Sequence, residues 1–190
     1  MIALRQSTPS RLRMPLRICR VYAKTMVGIC VMLRLFHGSN VVIERIDLSK
    51  GHINKDFGKG FYLTTLLHQA QDMAKRKARQ FVDAKPVVTT FLFDEAVLGS
   101  DELNVKVFPE VSEEWAMFIL QNRKASRTGF YHDYDIVVGP VADDSVVQQL
   151  DLYEMGLITL SQLVEALRYR DINNQYYFGT EQAIAKLTRI

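Results

Sequence analysis

The sequence predicts an α+β domain, and three observations lead there. Short β-branched and aromatic runs are interspersed with amphipathic segments, the two kinds do not alternate as regular βαβ units, and no glycine-rich dinucleotide fingerprint follows a strand. With 190 residues, 48% of them hydrophobic and 24% charged, the chain can enclose one sizeable core in the ordinary globular manner. One domain over residues 34–190 is therefore expected.

Residues 1–33 are set apart by charge. They carry six basic side chains (Arg5, Arg11, Arg13, Arg17, Arg20, Lys24) and no acid, followed by the apolar run Met26 to Leu33. That run is too short to span a bilayer, and no small-residue cleavage site follows it. A start of translation at Met26 or Met32 is the preferred reading, with a disordered basic extension and a secretion signal as alternatives. Cleavage after Leu33 would trim the strand that positions His37, which counts against export.

Removing those six basic groups leaves 18 basic against 21 acidic groups in residues 34–190, so the domain is slightly acidic and offers no charge argument for a nucleic-acid surface. Both cysteines, Cys19 and Cys30, lie in the leader. The domain thus has no thiol for a disulfide or a thiolate metal site, in agreement with a reducing, cytoplasmic setting. The four histidines (His37, His52, His68, His132) show no metal-ligand spacing, and no metal or membrane association is expected.

The elements follow in order. Leu33, Leu35 and Phe36 read as a short buried strand ending in His37-Gly38-Ser39. Asp56-Phe57-Gly58-Lys59-Gly60 is a glycine-broken loop entering a second strand, Phe61 to Thr64. From 66 to 81 the apolar residues Leu66, Ala70, Met73, Ala74, Ala78 and Phe81 recur at helical spacing. Lys75, Arg76, Lys77 and Arg79 then fall largely on the exposed face, a solvated surface before a phosphate site. Residues 86–93 and 103–108 read as strands. Ser112 caps a helix to about Asn122 that buries Trp115, Phe118 and Ile119, with Glu113 and Glu114 favourable in its first turn. Tyr134 to Val138 is a strand, followed after Gly139-Pro140 by a helix to about Met155 that Gly156 stops. Thr159 caps the next helix, to about Arg170. Asn173-Asn174 turns into a strand from Gln175 to Phe178, and Thr180 or Glu181 opens a terminal helix.

Two polar-aromatic motifs about twenty residues apart, within residues 33–64, suggest a cleft for a flat polar ligand. Each residue alone has a plain structural explanation. A histidine at a strand end is commonly a structural donor, Gly58 and Gly60 are turn glycines, and Tyr62 is a core aromatic with a paired hydroxyl. Together they form a pattern. Phe57-Gly58-Lys59-Gly60-Phe61-Tyr62-Leu63-Thr64 closely resembles the FGKGIYFA segment of poly(ADP-ribose) polymerases, and Phe36-His37-Gly38-Ser39 resembles the HG(T/S) strand that precedes it there. Asn174-Gln175-Tyr176 resembles their N-E-Y strand, whose glutamate is catalytic. The FGKGFY segment is specific, whereas HGS and NQY by themselves are not. The whole chain also resembles an uncharacterised bacterial family assigned to the same superfamily, marked by HGS, DFGKGFYLT and a segment matching Asp133 to Asp144.

The resemblance to the diphtheria-toxin-like branch of ADP-ribosyltransferases implies a split β-sheet core that binds NAD as substrate. It implies a triad of His37, Tyr62 and Gln175. His37 would bond a ribose hydroxyl, Gly38 would meet the nicotinamide carboxamide with its backbone, and Ser39 could add its hydroxyl. Tyr62 would stack on the nicotinamide ring, and Asp56, Gly58, Gly60, Phe61 and Thr64 would line the site. Gln175 departs from the pattern, because an amide accepts a hydrogen bond but is no carboxylate base at neutral pH. Polymer elongation is then not expected, while mono-transfer to a nucleophilic acceptor or slow NAD hydrolysis is. A carboxylate could come instead from Asp143 or Asp144, whose plain role is to cap and favour a helix start, or from Asp56. Lys59 could neutralise a phosphate.

The expected function is thus NAD-dependent mono-ADP-ribosyl transfer to a protein or nucleic acid. A small antitoxin-like protein is an expected partner by resemblance. The alternative is a module that binds NAD or ADP-ribose without turnover.

Overall fold

In the computed structural model, residues 31–142, 144–168 and 173–190 are described. They form seven strands and six helices, an α+β arrangement. The strands are β1 (Met32–Ser39), β2 (Phe61–Thr64), β3 (Val87–Asp94), β4 (Val105–Val107), β5 (Ile136–Pro140), β6 (Asn174–Phe178) and β7 (Leu187–Arg189). The helices are α1 (Leu67–Ala78), α2 (Glu113–Arg123), α3 (Ala125–Thr128), α4 (Asp144–Glu154), α5 (Leu160–Arg168) and α6 (Glu181–Ile184). One sheet runs in the order β4-β5-β6-β2-β1-β3-β7, with β4–β5 parallel and every other neighbouring pair antiparallel.

Strand alternation divides the core between the two faces of this sheet. In β6, Tyr177 joins a cluster with Phe57, Phe108, Trp115, Ile119, Val137, Leu150 and Leu163, which α2, α4 and α5 cover. Its neighbours Tyr176 and Phe178 turn to the opposite cluster, with Leu35, Leu63, Phe91, Phe93 and Ile136. β5 is buried along its whole length because it contributes to both clusters. Caps fall where hydroxyls are available to the first free amides. Ser112 Oγ accepts from Trp115 N, and Thr159 and Gln162 bond reciprocally at the start of α5.

The joint between β1 and β2 is the weak line of the sheet. β1 is registered with β3 from Met32 to Ser39, but with β2 only at Phe36–Thr64. The ladder therefore does not continue along His37, Gly38 and Ser39 on the β2 side.

Several boundaries differ from the sequence expectations. α1 ends at Ala78, before Phe81, which is 60% exposed, and Met73 also faces solvent. The helix seats through the narrow row Ala70, Ala74, Ala78, and a bulkier stripe has no room beneath it. At the C-terminus Thr180 does cap a helix, accepting from Ala183 N, but α6 has four residues and gives way to β7, which pairs with β3. A three-residue edge strand carries too little periodicity to be read from sequence. Among the described residues, no helix is long and apolar enough to cross a membrane.

Candidate functional site

His37 stands at the point where β1 and β2 part. Its Nδ1 lies 2.8 Å from the Tyr62 carbonyl oxygen. A carbonyl only accepts, so Nδ1 carries the proton and donates, bridging strands that no ladder joins there. The ring stacks on Phe61, with centroids 4.4 Å apart. Burial pushes the pKa of His37 down to about 4, against the hydrogen bond to Tyr62 and with help from the Lys77 charge. The imidazole is therefore neutral at pH 7, and Nε2 is an acceptor with no partner among the described residues.

Gly38 faces the other way. A Cβ there would lie 2.0 Å from Ala70 O and 2.8 Å from Ala74 N, so the missing side chain is what lets α1 sit on β1. Ser39 closes the strand and is buried.

The loop entering β2 is held by its backbone. The Tyr62 hydroxyl accepts from Phe57 N at 3.1 Å and donates to Gly58 O at 2.6 Å. His132 Nε2 donates to Phe57 O at 2.9 Å, while its Nδ1 accepts from Tyr134 N. The Tyr177 hydroxyl donates to Lys59 O at 3.1 Å. Phe57 is fully buried against Phe108 and Phe118. Gly58 has φ +85°, the left-handed conformation that favours glycine, and Gly60 lies where a Cβ would meet the Tyr177 ring at 2.2 Å. Burial raises Tyr62 well above its ordinary pKa, with the Asp56 charge acting in the same direction, and lowers His132. Both stay uncharged hydrogen-bonding groups at neutral pH.

Asp56, at the head of this loop, joins three elements. One carboxylate oxygen, Oδ1, accepts from Arg123 Nε at 2.9 Å and Nη2 at 2.7 Å, from the end of α2. The other, Oδ2, accepts from Gln175 Nε2 at 3.1 Å, from β6. Gln175 is registered with Thr64, and Thr64 with Phe36, so it lies two strands from the β1 position preceding His37. At about 5 Å per strand that is roughly 10 Å. The Thr64 hydroxyl serves the start of α1, donating to Gln69 Oε1 and accepting from Leu66 N.

Several of the site residues read from sequence thus fall in two groups, on opposite faces of the sheet. His37, Phe61 and the Tyr62 carbonyl meet at the parting of the strands, and Tyr62, Gly58 and Asp56 lead from there to Gln175. Asp143 lies outside the described residues, and Asp144 is the first residue of α4. Arg123, His132 and Tyr177 are the contributors that the sequence did not single out. His132 and Tyr177 adjoin quoted motifs, whereas nothing local marks Arg123. A separate hollow of about 390 Å³ between the start of α2 and α5, lined by Glu110, Ser112, Glu113, Ser161 and Glu165 among others, shares no residue with this site.

Residues 33–188, from β1 into β7 and with every site residue named above, match the family described as "protein of unknown function (DUF3990)". The chain belongs to the DUF3990 family. No curated protein and no solved structure gives a significant match to this DUF3990 chain.

Proposed function

We propose that this DUF3990 chain is an NAD-dependent mono-ADP-ribosyltransferase. The observation that carries the proposal is the parted β1–β2 joint, where a neutral imidazole presents an acceptor that is unpartnered among the described residues, beside a stacked aromatic. A joint of this kind would suit a flat amide-bearing ring with an attached sugar: unladdered strand backbone for the amide, aromatic side chains beside it and acceptors for the sugar hydroxyls. In the reaction the bond between the nicotinamide nitrogen and ribose C1′ breaks, and its electron pair leaves with nicotinamide. The acceptor's heteroatom bonds to C1′, and its proton passes to solvent. Gln175 Oε1 would hold a hydroxyl of the reacting ribose, fixing that sugar as positive charge develops on it, and His37 Nε2, on the other face of the sheet, would hold a ribose hydroxyl elsewhere on the cofactor. A protein or nucleic acid supplies the acceptor on this reading, and a small antitoxin-like protein is its natural regulator.

A second reading has an observation in its favour. Gln175 is an amide, and both oxygens of its neighbour Asp56 are engaged, so neither residue offers a free carboxylate base. That favours a module that binds NAD or ADP-ribose without turnover. Calorimetric titration of NAD into the full chain, with nicotinamide read from the same samples, separates the two. The transferase reading expects saturable binding, weakened roughly 5- to 10-fold in His37→Ala, together with nicotinamide release. Binding without release, with or without lysate as acceptor, selects the module. Absence of binding removes both.

A further inference from the structure

Resting on the transferase reading above, we propose that Asp56 is the positioning residue of this site, holding the Gln175 amide in one orientation and lending it the negative charge that an amide lacks. Asp56 does not touch substrate in this account. It acts through Gln175.

The argument starts from the two ends of the amide. A carboxylate only accepts, so Asp56 Oδ2 at 3.1 Å must face the amide nitrogen of Gln175, and the planar group then turns Oε1 away from it. Among the described residues Oε1 accepts no hydrogen bond, which leaves it for a ligand hydroxyl. A free glutamine side chain would present donor and acceptor interchangeably, whereas this one presents the acceptor. An amide whose N–H donates to an ionised group is also a stronger acceptor at its oxygen, because the bonds in such a chain polarise one another. Gln175 thus behaves as a carboxylate at one remove, with the formal charge on Asp56.

Asp56 is itself held on three sides. Arg123 grips Oδ1 with two nitrogens, both side chains being largely shielded from solvent, and leaves Oδ2 to the amide. The following loop is pinned through Phe57 N and O, Gly58 O and Lys59 O by Tyr62, His132 and Tyr177. A dipole fixed in this way needs no reorganisation when positive charge appears on the sugar.

The test transposes the charge. Asp56→Asn can still accept from Gln175 but carries no charge, so nicotinamide release should fall about tenfold in kcat with KM for NAD nearly unchanged. Gln175→Glu sets two carboxylates against each other and should lower the rate as well. The double variant Asp56→Asn with Gln175→Glu restores a single carboxylate bonded to a single amide, and should recover most of the rate. An ion pair that merely braced α2 to the loop would gain nothing from Gln175→Glu. Thermal unfolding of all four proteins establishes that each is folded. If Asp56→Asn does not fold, Gln175→Ala leaves the Asp56–Arg123 pair intact and should still lower kcat about tenfold. A double variant no faster than the slower single one, an equal loss in kcat and affinity with Asp56→Asn, or an undiminished rate in Gln175→Ala overturns the proposal while leaving the transferase reading in place. A wild-type protein that releases no nicotinamide overturns both.

Discussion

Acidification should weaken the fold through His37 in a way that one substitution isolates. The unfolded chain titrates this imidazole near 6.5, whereas in the folded chain burial holds it near about 4. Above pH 6.5 both states are neutral and the residue contributes no pH dependence. As pH falls below 6.5 the unfolded chain takes up a proton that the folded chain refuses, so stability declines until pH approaches the folded value. The gap corresponds to roughly 3 kcal/mol in all, of which about 2 kcal/mol is lost by pH 5. His132, also lowered by burial, acts in the same direction, and the carboxylates contribute their own dependence. The comparison is therefore between the wild type and His37→Asn, whose amide nitrogen can replace the Nδ1 donor without titrating. Urea denaturation of the two at pH 7.5 and 5.0 should show the wild type losing about 2 kcal/mol more than the variant over that interval. Parallel losses would mean that the imidazole is free to protonate in the folded state, and the account of a neutral acceptor at the β1–β2 joint would be wrong.

On the proposed transferase reading, the same neutrality predicts an NAD affinity that does not change with pH between about 8 and 6, a flat profile that calorimetry can read. Gly38→Ala should destabilise the chain by about 1–3 kcal/mol in urea denaturation, because the added methyl meets the α1 backbone at Ala70 and Ala74 and no flexible side chain can yield. Phe57→Ala should cost about 3–5 kcal/mol by the same measurement, since it empties a fully buried site between Phe108 and Phe118. Tyr62→Phe keeps the ring but removes the hydroxyl shared by Phe57 N and Gly58 O. A loss of about 1–3 kcal/mol is expected, with faster amide exchange across residues 56–60.

Much of the element order was legible because it depends on local chemistry. β-branched and aromatic runs announced β2, β3, β5 and β6, Ser112 and Thr159 announced the starts of α2 and α5, and the FGKGFY segment announced a loop with glycines at positions where larger residues do not fit. The limits of α1 and the existence of β7 were not legible, since they depend on what lies underneath: an alanine row seated on Gly38, and a free edge of β3 to pair with. Of the candidate carboxylates, sequence context drew attention first to Asp143 and Asp144. Among the described residues, Asp56 is found against Gln175, 119 residues away in the chain.

The sequence by itself determined the fold class and the strand that ends in His37-Gly38-Ser39, because propensity, capping and turn chemistry act over a few residues. Only the tertiary structure decided how the groups at the site are used. The parting of β1 from β2 depends on strand register. The Arg123–Asp56–Gln175 chain depends on α2 and β6 converging on one loop, and the neutrality of His37 depends on burial by distant elements. Each is a consequence of contacts between segments far apart in sequence, which no local pattern encodes.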